Sequence, residues 1–424
     1  MNFTEAVEDS QLQDAHPPLM GLAALMGLAY ANVDLAPLGI ELAGRATTDP
    51  TDANALMDLA IIMHLDFAPD VALELQSQAL RIRQCYSLPA SDGAESVRVL
   101  ALMAPGELMA NAPLEFLVHD SDITLEMLFI SPDLPMPSFL PEHDVLFVAV
   151  NESDANRPIL QMIETLIKSS TRPVLNAPER IALLSRDGSC ELLKSASGID
   201  MPASVRVDRQ TLERIGRELQ VIGDFPGECE FPIIVRPVGS HAGRGLSKLD
   251  DPSAVGDYLG SLADDEFYVA PFVDYRGDDG LFRKYRIVLI DGRPYACHMA
   301  VSTQWMVHYL NAGMAASAEK RAEEARWMES FDQEFAQRHH RVLRHIAERV
   351  GLDYLVIDCA ETGAGDLLVF EIDSGAVVHA MDPVDVFPYK QPQMRKLFAA
   401  FRALLLRAKR GNPSRDGDSD VDCV

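Results

Sequence analysis

Residues 351–383 read GLDYLVIDCAETGAGDLLVFEIDSGAVVHAMDP, two apolar runs separated by a glycine-bearing turn. The runs are short, β-branched and aromatic, which predicts two adjacent antiparallel strands. Asp358 follows the apolar run Tyr354–Ile357. Glu371 and Asp373 flank Ile372, so both carboxylates leave the same side of their strand, where Asp358 of the partner strand can meet them. Three carboxylates inside an apolar hairpin repel one another, and burying them without a cation costs several kcal/mol. A Mg²⁺ ion shared with nucleotide phosphates is the natural neutraliser. The competing reading is an exposed acidic patch, which the apolar flanks disfavour.

Upstream, KYRIVLIDGRPYACHMAV (284–301) alternates about an Asp291-Gly292 turn and predicts a hairpin. Lys284 and Arg286 are two apart and share a strand face; His298 lies on the returning strand. Two cations on one face suit a triphosphate or a substrate carboxylate; the alternative is a solvated sheet face. Val269–Val273 is a short apolar strand. Further upstream, FPIIVRPVGSHAGRGLSKL (231–249) predicts a strand ending at Arg236, a loop of Gly239, Ser240, His241, Ala242, Gly243, Arg244 and Gly245, and a second short strand. Glycines let amides turn inward to form an anion nest, with Arg236 as a fixed cation. The loop is not GxxxxGK[ST], so it is no P-loop, and an ordinary exposed hairpin is the rival reading.

The preceding segments differ in kind. VRVLALM (97–103), ITLEMLFI (123–130), DVLFVAV (144–150) and PVLN (173–176) alternate with helical stretches, predicting a parallel sheet with a ligand-facing loop at Pro105–Asn111. Residues 1–92 read as helical. Leu56, Leu59, Ala60, Ala72 and Ala79 fall at the spacing of a tetratricopeptide repeat, a peptide-binding element, with a plain helical cap as the alternative. The expected domains are therefore a helical segment at 1–92, a βαβ unit at 97–177, an α+β unit at 178–409 and a disordered acidic tail at 410–424.

Bulk properties narrow the function. With 64 acidic against 37 basic residues the net charge is −27, which argues against nucleic-acid and membrane partners and requires cations gathered locally to hold an anion. Six scattered cysteines form no CxxC pair and fit a reducing compartment. No apolar run reaches the ~20 residues of a membrane span, and the acidic start, MNFTEAVEDSQLQD, is unlike a secretory signal. A cytoplasmic location is expected.

The order of glycine loop, Lys/Arg hairpin and D…E-x-D resembles the ATP-grasp superfamily, with glutathione synthetases and ribosomal-protein glutamate ligases as the nearest pattern, over roughly residues 97–405. A tetratricopeptide-like segment ahead of such a unit resembles a group of bacterial proteins. The resemblance implies two α+β subdomains clamping ATP. It puts Arg236 where a phosphate-binding Lys usually stands and Arg186 or Lys194 at a second such position. Gly239–Gly245 becomes a lid, and Val269, Ala270 and Phe272 present backbone groups to adenine. Arg286 and Lys284 meet the transferred phosphoryl group, with His298 and His308 toward substrate. Asn311 resembles part of the loop beneath the acyl phosphate. Asp358, Glu371 and Asp373 hold Mg²⁺, or Mn²⁺ in its place. Asp373 departs from the usual Asn, and Arg236 from Lys. The implied activity is ATP-dependent carboxylate–amine ligation through an acyl phosphate, on a small molecule or peptide, compatible with an oligomer. A small-molecule kinase and a nucleotide-sensing peptide-binding module are the rivals. Biotin-dependent carboxylation is disfavoured, since no biotinyl segment is present.

Overall fold

The structure, a computed structural model, describes residues 16–91, 95–194, 198–218, 230–240 and 243–411. His241, Ala242 and the tail beyond Gly411 lie outside these residues, as does the start of the chain before His16. The architecture is mixed α/β, with helices at the N-terminal end and three sheets among the described residues.

Among the described residues four helices come first: α1 (Gly21–Tyr30), α2 (Ala36–Thr48), α3 (Ala53–Leu65) and α4 (Pro69–Ile82). Leu56, Leu59, Ala60, Ala72 and Ala79 are all buried. Leu56, Met57, Ala79 and Leu80 pack into one apolar cluster with Val97, Val99 and Ala101 of the first sheet, so the helices act as a cap on that sheet. The all-helical reading of this region needs one correction: Cys85–Leu88 is a strand, β1, paired antiparallel to the sheet edge.

The start of α1 rests on two buried carboxylates. Asp58 accepts from the Met20 and Gly21 amides, each at 3.0 Å, and Glu115 from the Ala23 amide at 3.1 Å. Gly21 has φ +80° and no room for a side chain, because a Cβ would stand 2.5 Å from Glu115 Oε2. Burial raises the Asp58 carboxyl to about 6 and the Glu115 carboxyl to about 7. Between their unfolded values, about 4, and these raised ones, the folded state binds more protons than the unfolded state. Their contribution is therefore full in acid and is lost as pH rises. Relative to wild type, the Asp58→Asn/Glu115→Gln variant should gain stability, on the order of 4 kcal/mol, between pH 5 and pH 8. Urea unfolding at the two pH values measures this, and equal differences at both would refute it.

The first sheet has β2 (Val97–Met103), β3 (Ile123–Phe129), β4 (Val145–Val148) and β5 (Val174–Leu175) in the order β1-β3-β2-β4-β5. All its pairs but β1–β3 are parallel. Its near-continuous apolar strands are buried on both faces, as parallel strands must be. Helices α5 (Leu114–Val118) and α6 (Arg157–Ile167) connect them. Asn176, at φ +54°, ties this unit to the next: its amide oxygen accepts from the Asp353 and Tyr354 amides, and its nitrogen donates to the Tyr354 carbonyl.

After α7 (Pro178–Ile181) and α8 (Arg186–Leu193) come β6 (Ile199–Asp200) and β7 (Val205–Asp208), then α9 (Arg209–Gly216), β8 (Ile233–Pro237), β9 (Ser247–Leu249), α10 (Ala254–Gly260) and β10 (Glu266–Pro271). Strands β7-β10-β8-β9 make an antiparallel sheet. Its alternation sends Ile233, Val235, Phe267 and Val269 into an apolar cluster with Leu212 and Leu259 and leaves Ile234, Arg236, Tyr268 and Ala270 on the other face.

The third sheet, ordered β12-β11-β13-β14-β6, contains the hairpin β11 (Phe282–Ile290) and β12 (Arg293–Ser302) together with β13 (Tyr354–Glu361) and β14 (Leu367–Asp373). Asp291 and Gly292 both have positive φ, as a two-residue primed turn requires. Between the hairpins lie α11 (Ala318–Ser330), α12 (Phe335–Arg338) and α13 (His340–Val350), the last closed by Gly351 at φ +72°. Helix α14 (Lys390–Lys409) follows and packs Leu397, Phe401 and Leu405 against the first sheet. No helix among the described residues is long and apolar enough to cross a membrane.

Candidate functional site

Cross-strand partners in a sheet project on the same face. Register pairs His298 with Arg286, Arg286 with Asp358, and Asp358 with Glu371, so one row of ionisable side chains crosses four strands. Two irregularities border this row. Arg286 faces His298 but Ile287 faces Ala296, and Asp358 faces Glu371 but Cys359 faces Val369, leaving Cys297 and Phe370 as extra residues. Such bulges re-aim neighbouring side chains. The opposite face of β11 carries Tyr285, Ile287 and Leu289 into the core.

Asp358 is buried. It accepts two bonds from Arg286, at 2.7 and 2.9 Å, and pairs with Lys284 Nζ at 2.7 Å. Arg286 Nη1 also donates to the Val377 carbonyl at 3.0 Å. Burial acts to raise the Asp358 carboxyl, but Arg286 and Lys284 outweigh it and hold the group well below its ordinary range. Asp358 therefore fixes two cations. Glu371 accepts from Arg186 at 2.6 Å; burial works against its charge, and Arg186 and Arg236 more than offset this. Asp373 differs. Its Oδ1 accepts the Gly375 amide at 2.8 Å, and burial, then the charge of Glu371, raises its carboxyl to about 6.

Two clefts meet at Arg186, Tyr268 and Glu371. One, of about 1020 Å³ when the space open to solvent is counted, lies between the second and third sheets. Its lining is mainly apolar, with Ile234, Ala270, Phe272, Leu368 and Phe370, and includes the cations Arg186, Arg236 and Lys284. Burial and then the neighbouring Arg186 lower Arg236 to about 10, and its Nε donates to Ser240 Oγ at 3.1 Å. Phe272 stands edge-on to Trp305, ring centroids 5.8 Å apart, and Lys248 lies over its ring. The other cleft runs from Glu371 and Asp373 to the loops at 105–110 and 151–156, with Gly239 and Ser240 also in its lining.

No protein-family model matches this chain, and no curated protein does. Solved structures do. The RimK domain ATP-grasp protein from Sphaerobacter thermophilus DSM 20745 is 14% identical, with a TM-score of 0.40 over 74% of this chain and 100% of that one. D-alanine–D-alanine ligase from Bacillus anthracis, solved with ATP, is 12% identical, with a TM-score of 0.41 over 75% and 100%. VanG D-Ala:D-Ser ligase from Enterococcus faecalis is 14% identical, with a TM-score of 0.43 over 73% and 100%.

Each of these three alignments spans about three quarters of this chain.

At this degree of likeness the chemistry rests on the residues alone. Of those expected from the ATP-grasp resemblance, Arg186, Arg236, Lys284, Ala270, Phe272 and Glu371 line the first cleft, and Gly239, Ser240, Glu371 and Asp373 the second. Lys194 does not reach either; it pairs with Glu191 on α8, so of the two candidate cations the structure brings Arg186 to the cleft. Val269 turns its side chain into the core. Arg244 stands 3.6 Å from Asp264, and Gly243 beside Met306. Asn311 is exposed and accepts the His308 amide in its own turn, lining neither cleft. His298 leans on Tyr309 with its Nδ1 buried and without a hydrogen-bond partner among the described residues; burial and then Arg286 and Lys390 lower its ring well below the usual range. The expected metal triad is split. Among the described residues no group of three or more His, Cys, Asp or Glu side chains stands ready to hold an ion, because Asp358 faces cations. Glu371 and Asp373 remain as a carboxylate pair. The like charge beside Asp373 makes that pair suited to a divalent cation that brings further ligands with it.

Sequence reasoning missed Tyr268 and Trp305 of the first cleft and Asn151 of the second. Tyr268 was accessible from strand alternation, being two residues before Ala270. Asn151 follows the C-terminal end of a parallel strand, where ligands gather.

Proposed function

We propose that this chain is a cytoplasmic, ADP-forming carboxylate–amine ligase that uses ATP and Mg²⁺. The observation that carries the reading is the junction of the two clefts, where Arg186, Arg236 and Lys284 adjoin the carboxylate pair of Glu371 and Asp373. An apolar cleft with cations in its lining suits a purine nucleotide triphosphate. Glu371 and Asp373 would hold Mg²⁺, which when bound supplies neutralisation of phosphate charge. Mn²⁺ suits the same oxygen donors.

Two steps balance the reaction. A carboxylate oxygen attacks the γ-phosphorus of ATP, giving an acyl phosphate and ADP. An amine then attacks the acyl carbon; an amide forms, and phosphate and a proton leave. Arg236 and Arg186 hold phosphate oxygens, and Lys284 and Arg286, both oriented by Asp358, offset charge that develops on the transferred group. The second cleft gives small-molecule or peptide substrates a place beside the carboxylate pair. In this reading the helical segment to residue 92 and the βαβ unit at 97–177 frame the acceptor side, and residues 178–409 clamp the nucleotide.

The test is an ADP-release screen over amino acids, dipeptides and peptides, with mass spectrometry of the products. A requirement for both a carboxylate and an amine, with an amide product, supports ligation. A phosphorylated single acceptor assigns a kinase instead, and absence of Mg²⁺-dependent ATP binding by calorimetry overturns the nucleotide reading. Arg236→Ala should weaken ATP binding roughly 10-fold to 100-fold, the worth of a charged hydrogen bond. Arg236→Lys should recover part of the loss, as a point charge without the fork. Calorimetric titration checks both, and wild-type affinity in the Ala variant would remove Arg236 from the site.

A further inference from the structure

We infer that Asn151, on the parallel-sheet unit, is a positioning residue for Asp373, and through it for the metal; the inference rests on the assignment of Glu371 and Asp373 proposed above. Asn151 stands in the loop after β4 and is 6% exposed. Its amide nitrogen donates to the Met109 carbonyl at 2.8 Å and its backbone nitrogen to the Ala110 carbonyl at 2.9 Å. Asn156 Nδ2 donates to the carbonyls of Ala110 and Asn151, each at 3.0 Å. These bonds lock the loop after β4 to the loop after β2.

The remaining polar atom of Asn151 reaches across to the other unit. Ser374 Oγ, itself buried, donates to Asn151 Oδ1 at 3.1 Å. The amide also lies directly on Gly375: a Cβ there would stand 1.7 Å from Asn151 Nδ2, 2.0 Å from Oδ1 and 2.1 Å from Cγ. No left-handed backbone angle requires glycine at 375. The glycine is there for space. Gly375 in turn donates its amide to Asp373 Oδ1 at 2.8 Å. Beyond it, Ala376 and Val378 enter the apolar cluster of the first sheet. The chain therefore ends β14 at Asp373 and is pinned within two residues by a side chain from the loop after β4. Rotation of the Asp373 carboxylate is set by the Gly375 amide, and the place of that amide is set by Asn151.

Groups that orient metal-holding side chains matter for affinity about 10-fold to 100-fold. The experiment is an electron paramagnetic resonance titration of Mn²⁺ into the full chain loaded with the non-hydrolysable ATP analogue adenylyl imidodiphosphate. Asn151→Ala should raise the Mn²⁺ dissociation constant by roughly that factor, while metal-free affinity for the analogue stays at the wild-type value. General damage to the fold would move both. Ser374→Ala, a milder change that removes only the cross-unit bond, should shift Mn²⁺ affinity the same way by less, and it decides the matter if Asn151→Ala does not fold. Gly375→Ala should weaken Mn²⁺ binding, and adding Asn151→Ala to it should recover part of the loss by making room. Wild-type Mn²⁺ affinity in folded Asn151→Ala or, failing that, in Ser374→Ala overturns the inference. If wild type binds no Mn²⁺ with the analogue, or Glu371→Gln binds it as tightly as wild type, the metal assignment itself falls.

Discussion

Glu371→Gln is expected to leave the protein folded and to reduce Mg²⁺-dependent ADP formation by roughly three orders of magnitude. Glutamine keeps an oxygen for Arg186, which now bonds Glu371 Oε1 at 2.6 Å, so the contact between α8 and β14 survives. What disappears is one of the two charges offered to the ion. A metal's share in stabilising transferred-phosphoryl charge is several kcal/mol, and each ~1.4 kcal/mol is tenfold in rate. The change also removes the charge that raises Asp373, so the lone carboxylate ionises more readily yet binds a divalent ion less well. Steady-state ADP release across a Mg²⁺ series, with circular dichroism to verify the fold, tests this. Turnover within tenfold of wild type would take Glu371 out of the site.

The second large effect falls on stability. Arg286→Met removes the bidentate partner of Asp358, which is 5% exposed, and leaves Lys284 as its remaining ion-pair partner. Breaking a buried pair by removing one partner costs about 3–5 kcal/mol, and the residual Lys284 contact places the expected loss near 3 kcal/mol. Adding Asp358→Asn removes the stranded charge and should restore more than half of it. Urea unfolding measures both variants. A single-variant loss under about 1 kcal/mol, or no recovery in the double variant, would show that Asp358 is hydrated more than its burial indicates.

Much of this arrangement is legible in the sequence. Period-2 alternation placed Lys284 with Arg286, and Glu371 with Asp373, each pair on one face, because that periodicity is a property of the strand itself. The partners of Asp358 were not legible. Carboxylate and guanidinium lie on one face of neighbouring strands, and strand pairing alone does not say whether Asp358 turns to a metal or to Arg286. Arg286 comes opposite Asp358 through the regular pairing of β11 with β13, which joins positions 72 residues apart and leaves no local pattern in the sequence. Arg186 and Lys194 were equivalent as cations on one helix; which of them meets Glu371 follows from how α8 docks on β14, a tertiary fact. Strand β1 escaped notice because CYSL is short and directly follows helix α4, so its pairing with Leu125–Leu128 of β3 carries no local pattern.

That pairing makes the helical segment and the parallel sheet inseparable. A protein begun at Val97 would lose the strand that covers β3, and the row of amides and carbonyls there would lie open along a length whose side chains, Leu125 to Leu128, are all buried in the intact chain. An open apolar border of this kind invites another polypeptide to zip onto it. Strand β1 thus guards β3 against self-association.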